Sequence, residues 1–218
     1  MKTFINDIKS KRNQILTKKI TNFITSNIFN NNNKKKTIID LGSGKNFLIA
    51  KKINASPKLA KRFSVLNYDF FTKEEIKKYK KTNINCYSID NSKIKKSNII
   101  ILSDTLHHIF YKKIDYEVIG RYLSELLKKT DYIFIKDHFA ESFFDLIILK
   151  IMDLIGNKHN PKTNMPSDYF KKKKFLSMCN KYGMQIKNMK TKIKYYPKII
   201  LPFGNPKLHF ILYLEKSK

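Results

Sequence analysis

The sequence predicts an α/β fold in which helices cover both faces of a mostly parallel sheet and an antiparallel hairpin closes the C-terminal end. Short β-branched runs alternate with segments of helical period, each run ends on polar residues, and the last third adds two apolar runs around a loop with proline and glycine. Strands separated by helices form right-handed crossovers, which make a sheet parallel. With 218 residues, of which 42% are hydrophobic, the chain is large enough for one such domain.

The first element is a predicted amphipathic helix over residues 6–28. Its apolar side chains follow the helical period, at Ile8, Ile15, Leu16, Ile20, Phe23 and Ile24. Residues 30–36 are all asparagine or lysine and are predicted to form a solvated connector. A strand at 37–41, a glycine turn at 42–44 and a helix beginning near Phe47 follow.

Four further strands are predicted at 63–68, 84–89, 98–102 and 132–136. They end at Asp69, at Asp90, at Ser103-Asp104 and at Asp137-His138. Because ligands of parallel sheets bind beyond the carboxyl ends of the strands, we expect an acidic rim there, formed by Asp40, Asp69, Asp90, Asp104 and Asp137. Two last strands, at 184–193 and 208–215, are predicted to pair as a hairpin and bring the sheet to seven strands; the loop between them contains Pro197, Pro202, Gly204 and Pro206.

The cysteines and the apolar runs argue against several classes of protein. Cys86 and Cys179 match no metal-ligand spacing and are too few for a disulfide framework, so we expect no metal and a reducing, cytoplasmic location. The sequence has neither an N-terminal secretion signal nor a run of about 18 uncharged apolar residues. We therefore expect neither secretion by that route nor a membrane span.

The net charge of +28 has two interpretations. Of the 45 basic residues only Arg12, Arg62 and Arg121 are arginine, and lysine, isoleucine and asparagine, all encoded by A/T-rich codons, are spread evenly. The charge reflects either a compositional bias or a functional cationic surface for nucleic acid or anionic lipid. The scarcity of arginine, whose guanidinium binds phosphate through two hydrogen bonds, favours the first interpretation.

The sharpest motif is the turn Asp40-Leu41-Gly42-Ser43-Gly44 after the first predicted strand. A dinucleotide fingerprint would need glycine at position 47, which is Phe47, and a phosphate-binding P-loop would need a GK[ST] ending that is absent. Asp69 closes the next strand, and this spacing suits a nucleoside methyl donor whose ribose hydroxyls bind the carboxylate. The alternative is a turn without a ligand, with the strand-end aspartates serving as helix N-caps.

On these residues the sequence resembles the class I S-adenosylmethionine-dependent methyltransferases. The resemblance spans nearly the whole chain and includes residues 38–44, Asp69, Asp90-Asn91 and residues 103–108. It extends to a subgroup of small bacterial members with KDH, MDxxGN, LPxxY and LHF strings, here Lys136-Asp137-His138, residues 152–157, residues 165–169 and Leu208-His209-Phe210. The resemblance implies a Rossmann-like fold and S-adenosyl-L-methionine as cofactor. Asn46 replaces the family's usual third glycine, and because asparagine tolerates left-handed backbone angles the turn is expected to persist.

The resemblance also implies roles for the residues of the cofactor site. Asp40 would orient the turn and the donor's amino-acid end, and backbone groups of Gly42, Ser43 and Gly44 would contact the donor. Asp69 would bind the ribose. The remaining cofactor-binding residues are Asp90, which would bind the adenine amino group, Asn91 and Ser103.

Candidate catalytic residues follow the fourth and fifth strands. An imidazole can accept the proton of a hydroxyl or amine during methyl transfer, and of the adjacent His107 and His108 we favour His108, with Asp104 as a possible orienting partner. Asp137 and His138 could act as an orienting pair or supply a second general base. For each histidine the alternative is a packed side chain that steadies its loop.

The predicted organisation is a single methyltransferase domain over 1–218, with a leading helix and connector (1–36), a cofactor-binding core (37–138), an acceptor-side lid and helices (139–183) and the closing hairpin (184–218). Residues 143–155 are very apolar and form either a helix packed on the sheet or, with 156–169, a lid over a hydrophobic or lipid-like acceptor, with lysines facing anionic headgroups.

The function predicted from these features is methyl transfer to a small acceptor, for which an apolar or lipid-like molecule is one option. RNA methylation and noncatalytic S-adenosylmethionine binding are the alternatives. Amino-methylating nucleic-acid enzymes of this fold usually carry [N/D]PP[Y/F] after the fourth strand, where this chain has Ser103-Asp104-Thr105-Leu106. That difference favours a small molecule.

Overall fold

In the computed structural model, which describes residues 2–28, 34–82, 84–89, 93–157, 164–193 and 205–216, seven strands form one sheet. They are β1 (Lys36–Leu41), β2 (Phe63–Asp69), β3 (Asn85–Ser88), β4 (Ser97–Ser103), β5 (Thr130–His138), β6 (Met184–Thr191) and β7 (His209–Lys216). Their order is β3-β2-β1-β4-β5-β7-β6. β2 is parallel to β1 and β3, whereas β7 is antiparallel to β5 and β6. The predicted α/β class, strand number and closing hairpin are confirmed.

The helices are α1 (Lys2–Ile28), α2 (Leu48–Asn54), α3 (Pro57–Arg62), α4 (Lys73–Lys80), α5 (Leu106–Ile109), α6 (Tyr116–Leu127), α7 (Phe143–Asn157) and α8 (Lys172–Lys181). The predicted leading helix is confirmed, although it begins at Lys2 rather than at residue 6. Leu16, Ile20 and Ile24 lie four residues apart and form its buried stripe.

Strand pairing aligns the residues that the sequence singles out. In the parallel register of β1 and β2, Asp40 lies opposite Asn67 and Leu41 opposite Tyr68. Both strands therefore end at the same level, and the turn after β1 meets the end of β2. In the antiparallel register of β5 and β7, His138 lies opposite His209.

The described residues up to 100 form one compact unit, and those from 101 on form another. We call them the N-terminal unit and the C-terminal unit. The N-terminal unit has an apolar core that includes Ile38, Ile39 and Tyr68, and the core of the C-terminal unit includes Phe134 and Phe210. The single domain over 1–218 stays a prediction.

Several sequence predictions fall outside the described residues. They concern most of the connector at 30–36, Asp90 and Asn91, the loop residues Pro197, Pro202 and Gly204, and part of the segment 156–169. Among the described helices, none is long and apolar enough to cross a bilayer.

Candidate active site

The glycine turn after β1 contains two residues with left-handed backbone angles. Gly42 has φ 80° and Gly44 has φ 61°, a region that other residues rarely adopt. The N–H groups of Gly42 and Ser43 both donate to the carbonyl oxygen of Tyr68 on β2, at 2.8 and 3.3 Å. A Cβ atom added to Gly44 would meet nothing within 4 Å. A ligand can therefore approach the backbone here.

The carboxylate of Asp69, at the end of β2, is bonded directly to this turn. Its Oδ2 accepts from the N–H of Gly44 at 2.7 Å, and its Oδ1 accepts from the N–H of Phe70 at 2.7 Å. A carboxylate offers about four acceptor positions, so two backbone donors leave positions for the hydroxyl groups of a ligand. The structure thus brings together the turn and the carboxylate that the sequence singled out.

Asp40 is buried near the end of β1. Burial, and secondarily the negative charge of Asp69, raises the pKa of the Asp40 carboxyl to about 7. A cationic group bound beside this carboxyl would lower its pKa again. The side chain is therefore suited to the amino group of a donor.

The expectation about Asn46 needs a correction. The residue with a left-handed backbone angle is not Asn46 but the next residue, Phe47, which has φ 49° and directly precedes α2. Phe47 is buried and packs against Phe71 and Tyr79, with ring centroids 5.6 and 4.7 Å apart. This packing offsets a backbone cost of about 1–2 kcal/mol. Aromatic packing, rather than the tolerance of asparagine, preserves the turn.

The hydroxyl oxygen Oγ of Ser103, at the end of β4, is buried and has no hydrogen-bond partner within the part of the chain that the structure describes. Buried polar atoms are rarely left without a partner, so this hydroxyl is available to a ligand. Its role in cofactor binding stays a prediction, as do those of Asp90 and Asn91.

In the C-terminal unit, the fully buried ring of His107 on α5 lies between two carboxylates. Its Nδ1 is 2.6 Å from Oδ1 of Asp137, and its Nε2 is 3.3 Å from Oδ2 of Asp153 on α7. Burial opposes a charge on this ring, but the charge and hydrogen bond of Asp137, with those of Asp153, raise the pKa of His107 to about 10. At neutral pH the ring is a cation whose Nδ1–H donates to Asp137 and whose charge attracts Asp153, so it cannot accept a proton.

Tyr169 completes this buried network. Its hydroxyl donates to Oδ2 of Asp153. Burial opposes a charge on Asp153, but hydrogen bonding and charge from His107 lower the pKa of Asp153 to about 2. Burial, together with the charge of Asp153, raises the pKa of the Tyr169 phenol, which keeps its proton. Asp153 therefore links α7 to α5 through its ion pair with His107.

His108, the next residue on α5, has a different environment. Its side chain is partly exposed, and its Nδ1 lies 2.9 Å from the carbonyl oxygen of Asn164. A carbonyl oxygen only accepts, so Nδ1 carries the proton and the lone pair of the neutral ring lies on Nε2. Burial and the positive charge of His107 lower the pKa of His108. The ring is neutral at physiological pH and can accept a proton at Nε2.

Asp104 and His138 belong to a third group of contacts. Oδ1 of Asp104 accepts from Nζ of the fully buried Lys136 and lies 3.0 Å from Nε2 of His138. Burial, and then the charge of Lys136, lowers the pKa of His138, so this ring is neutral. Asp104 has φ 53°, an unfavourable angle that its bonds to β5 compensate. That Asp104 orients His108 stays a prediction.

Among the described residues, His107, His108 and Asp153 could together approach a metal ion, since each offers a ligand atom within 4.8 Å of the others. The ion pair between His107 and Asp153, with the hydrogen bond from Tyr169 to Asp153, already explains this grouping. We assign no metal to it, and the expectation of no metal stays a prediction.

The sequence did not identify Lys136, Asp153 and Tyr169 as parts of this cluster. Lys136 precedes Asp137 on β5, whereas Asp153 and Tyr169 lie far from α5 in sequence and reach His107 only through the fold. The available signal was the set of subgroup strings, which contain all three residues.

No protein family model matches this chain, and no curated protein does either. Solved structures do match. The magnesium protoporphyrin IX methyltransferase ChlM from Synechocystis PCC 6803, with SAH bound, is 15% identical over 97% of this chain and 86% of that chain, with a TM-score of 0.60. An O-methyltransferase family 2 protein from Planctomyces limnophilus DSM 3776, in complex with apigenin, is 11% identical over 84% of this chain and 50% of that chain, with a TM-score of 0.53.

A protein described as a pericyclic reaction enzyme also matches, at 12% identity over 84% of this chain and 44% of that chain, with a TM-score of 0.53. One fold therefore serves more than one chemistry, and function has to be argued from the site. At these identities the comparisons establish architecture: the chain has the Rossmann-like fold of class I S-adenosylmethionine-dependent methyltransferases.

Proposed function

We propose that this protein is an S-adenosylmethionine-dependent methyltransferase acting on a small acceptor. The observation that carries the proposal is the bond between Asp69 and the N–H of Gly44, because it joins the open glycine turn to a carboxylate at the end of the adjacent strand. Gly42, Ser43 and Gly44 bind the donor through backbone groups. Asp69 binds its ribose, and Asp40 binds its amino group.

When bound, the donor supplies a sulfonium methyl group: the acceptor's lone pair forms a bond to the methyl carbon while the carbon–sulfur bond breaks and sulfur keeps the electron pair. An O–H or N–H acceptor loses its proton in this reaction. Nε2 of His108 takes that proton, a role supported by the neutral ring and by the bond that fixes its Nδ1–H on Asn164.

His107 is a positioning residue in this proposal. Its two carboxylate partners hold α5 in place, and its positive charge keeps the pKa of His108 low. His138, Asp104 and Lys136 form a second positioning group at the end of β5.

A small acceptor is supported by two observations. The sequence after β4 lacks the proline-rich tetrad of amino-methylating nucleic-acid enzymes. Two proteins of similar fold are named for, or bound to, small molecules, namely magnesium protoporphyrin IX and apigenin.

The test is transfer of a deuterated methyl group. The protein is incubated with S-adenosylmethionine carrying a trideuterated methyl, in parallel with a small-molecule extract, a lipid extract and total RNA, and products are identified by mass spectrometry. We expect label in one of the first two pools and none with excess S-adenosylhomocysteine. Label in RNA would replace the small acceptor with RNA. If the protein binds the donor but no pool becomes labelled, the result would favour a noncatalytic S-adenosylmethionine-binding protein.

A further inference from the structure

Helix α7, which lies within the C-terminal unit, has one buried face and one exposed face. Its inner face packs Leu149 in a buried cluster with Ala140, Tyr169 and Leu208. Asp153 lies on the same side, where it contacts His107. Packing within the C-terminal unit therefore explains the side chains on this face.

The outer face of α7 is apolar and exposed. Phe143 is 71% exposed, Phe144 75% and Leu154 63%. We define the outer face as these three residues together with Ile147, Ile151 and Ile155, which are also exposed. At 3.6 residues per turn the six side chains fall within an arc of about 120°. Soluble monomers rarely expose such a contiguous set, which marks an interaction surface.

Exposed lysines lie on α7 and at the start of α8. Lys150 lies on α7 itself, and Lys172, Lys173 and Lys174 begin α8. The start of α8 is held beside the start of α7, because the N–H of Lys172 donates to Oε1 of Glu141 at 2.6 Å and Nζ of Lys171 donates to the carbonyl of Ala140. The start of α8 therefore lies next to the residues that directly precede α7.

Acidic side chains near this face are engaged by backbone groups. Oδ2 of Asp145 accepts from the N–H groups of Glu141 and Ser142, at 3.0 and 2.9 Å, and Oε1 of Glu141 accepts from the N–H of Lys172. The outer face thus presents apolar side chains, with exposed ammonium groups at Lys150 and at the start of α8.

We propose that the outer face of α7 docks on an anionic lipid bilayer, with the helix lying in the plane of the interface. An apolar stripe bordered by lysines is the pattern of an interfacial helix, whose side chains enter the acyl region while the ammonium groups meet headgroup phosphates. A second copy of this chain fits less well, because each copy carries a net charge of +28 and would bring its lysines against those of its partner. The inference stands independently of methyl transfer. Since Asp153 and His107 lie behind the same helix, docking brings the histidines close to the bilayer surface.

The first experiment is flotation of the intact protein with phosphatidylcholine vesicles and with vesicles that also contain phosphatidylglycerol. We expect binding to the anionic vesicles, and a loss of at least about tenfold in the variant Phe143→Ser/Phe144→Ser/Leu154→Ser. Ile15→Ser and Val118→Ser are matched controls, since these side chains are 37% and 40% exposed on α1 and α6. Circular dichroism and light scattering report fold and oligomeric state.

A second measurement avoids the risk that the triple variant fails to fold. The chain has no tryptophan, so Phe144→Trp and Val118→Trp each introduce a single fluorophore. With anionic vesicles we expect a blue shift and quenching by brominated lipid for Phe144→Trp, and neither for Val118→Trp.

Three results would overturn the proposal: no binding of the wild type to anionic vesicles, binding that the triple variant retains, or a tryptophan at position 144 that stays in water. A wild-type dimer that the folded triple variant loses would instead assign the outer face to a second copy of the chain.

Discussion

At the scale of single residues, Asp40 makes the stability of the protein depend on pH. Its pKa rises from 3.8 to about 7 on folding, so between these values the folded state keeps a proton that the unfolded state has lost. The free energy of unfolding therefore falls as pH rises through this window and levels off above it. The raised pKa corresponds to about 4 kcal/mol at most.

We expect Asp40→Asn to remove this fall, so that the variant matches the wild type near pH 4 and is more stable by up to about 4 kcal/mol near pH 8. Urea unfolding of both proteins at several pH values across this range measures the difference in their free energies of unfolding. His107, whose folded pKa of about 10 exceeds its ordinary 6.5, adds a fall between those values in both proteins, so the difference between them isolates Asp40. Parallel profiles would show that Asp40 is ionised throughout.

His108 is the residue whose removal should affect chemistry alone. A positioned base contributes about 10²–10⁴-fold, so we expect His108→Ala to lower kcat by that factor while the donor Kd stays unchanged. Burial and the charge of His107 lower the pKa of His108. The acid limb of the wild-type pH–rate profile should therefore have its midpoint below 6.5, the ordinary pKa of histidine, and should be absent in the variant. Steady-state kinetics measure both, with Lys112→Ala in the neighbouring turn as control. An unchanged profile would exclude His108 as the base.

At the scale of helices, two glycines in similar secondary structure have opposite roles. On α6, a Cβ at Gly120 would come within 2.3 Å of the ring of Tyr182, which is held by hydrogen bonds to Glu117. On α7, a Cβ at Gly156 would meet nothing within 4 Å.

Gly120→Ala should therefore destabilise the protein by about 1–3 kcal/mol, because the ring has to move out of its packed position. Gly156→Ala should stabilise it by about 0.5–1 kcal/mol through helix propensity alone. Thermal unfolding of the two variants provides the comparison. A stabilising Gly120→Ala would mean that α6 and α8 are not packed in this way.

Strand β5 shows how far sequence patterns reach. The apolar run predicted a strand at 132–136, and the observed strand continues to His138 because β7 pairs with it as far as His209. Lys136, Asp137 and His138 are almost completely buried, which no hydrophobic pattern can indicate. The pattern therefore gives the presence and order of strands, while long-range pairing sets their ends.

The same distinction holds for the candidate site. The turn and Asp69 follow one another along adjacent strands, so spacing was enough to associate them. Asp153 and Tyr169 reach His107 across 46 and 62 positions of sequence, and local patterns carry no information about such contacts. This is why the buried network around His107 was not predicted as a whole.

At the scale of the whole molecule, the charge of +28 should produce polyanion binding without selectivity. If the charge is compositional, duplex RNA binds weakly, without sequence preference, and loses affinity steeply as salt rises from about 50 to 200 mM. Fluorescence anisotropy with two unrelated duplexes tests this expectation. A tight, salt-resistant and sequence-selective complex would favour RNA as the substrate.

The central claim is that the glycine turn and Asp69 form a methyl-donor site, and calorimetric titration with S-adenosylmethionine tests it most directly. We predict one site per chain. Asp69→Asn preserves an acceptor for the N–H of Gly44 but loses a charge-assisted bond to the ribose, so its affinity should fall about 10–100-fold. Glu74→Gln, at an exposed carboxylate on α4, should bind as the wild type does. No binding by the folded wild type, or equal affinity in folded Asp69→Asn, would contradict the account.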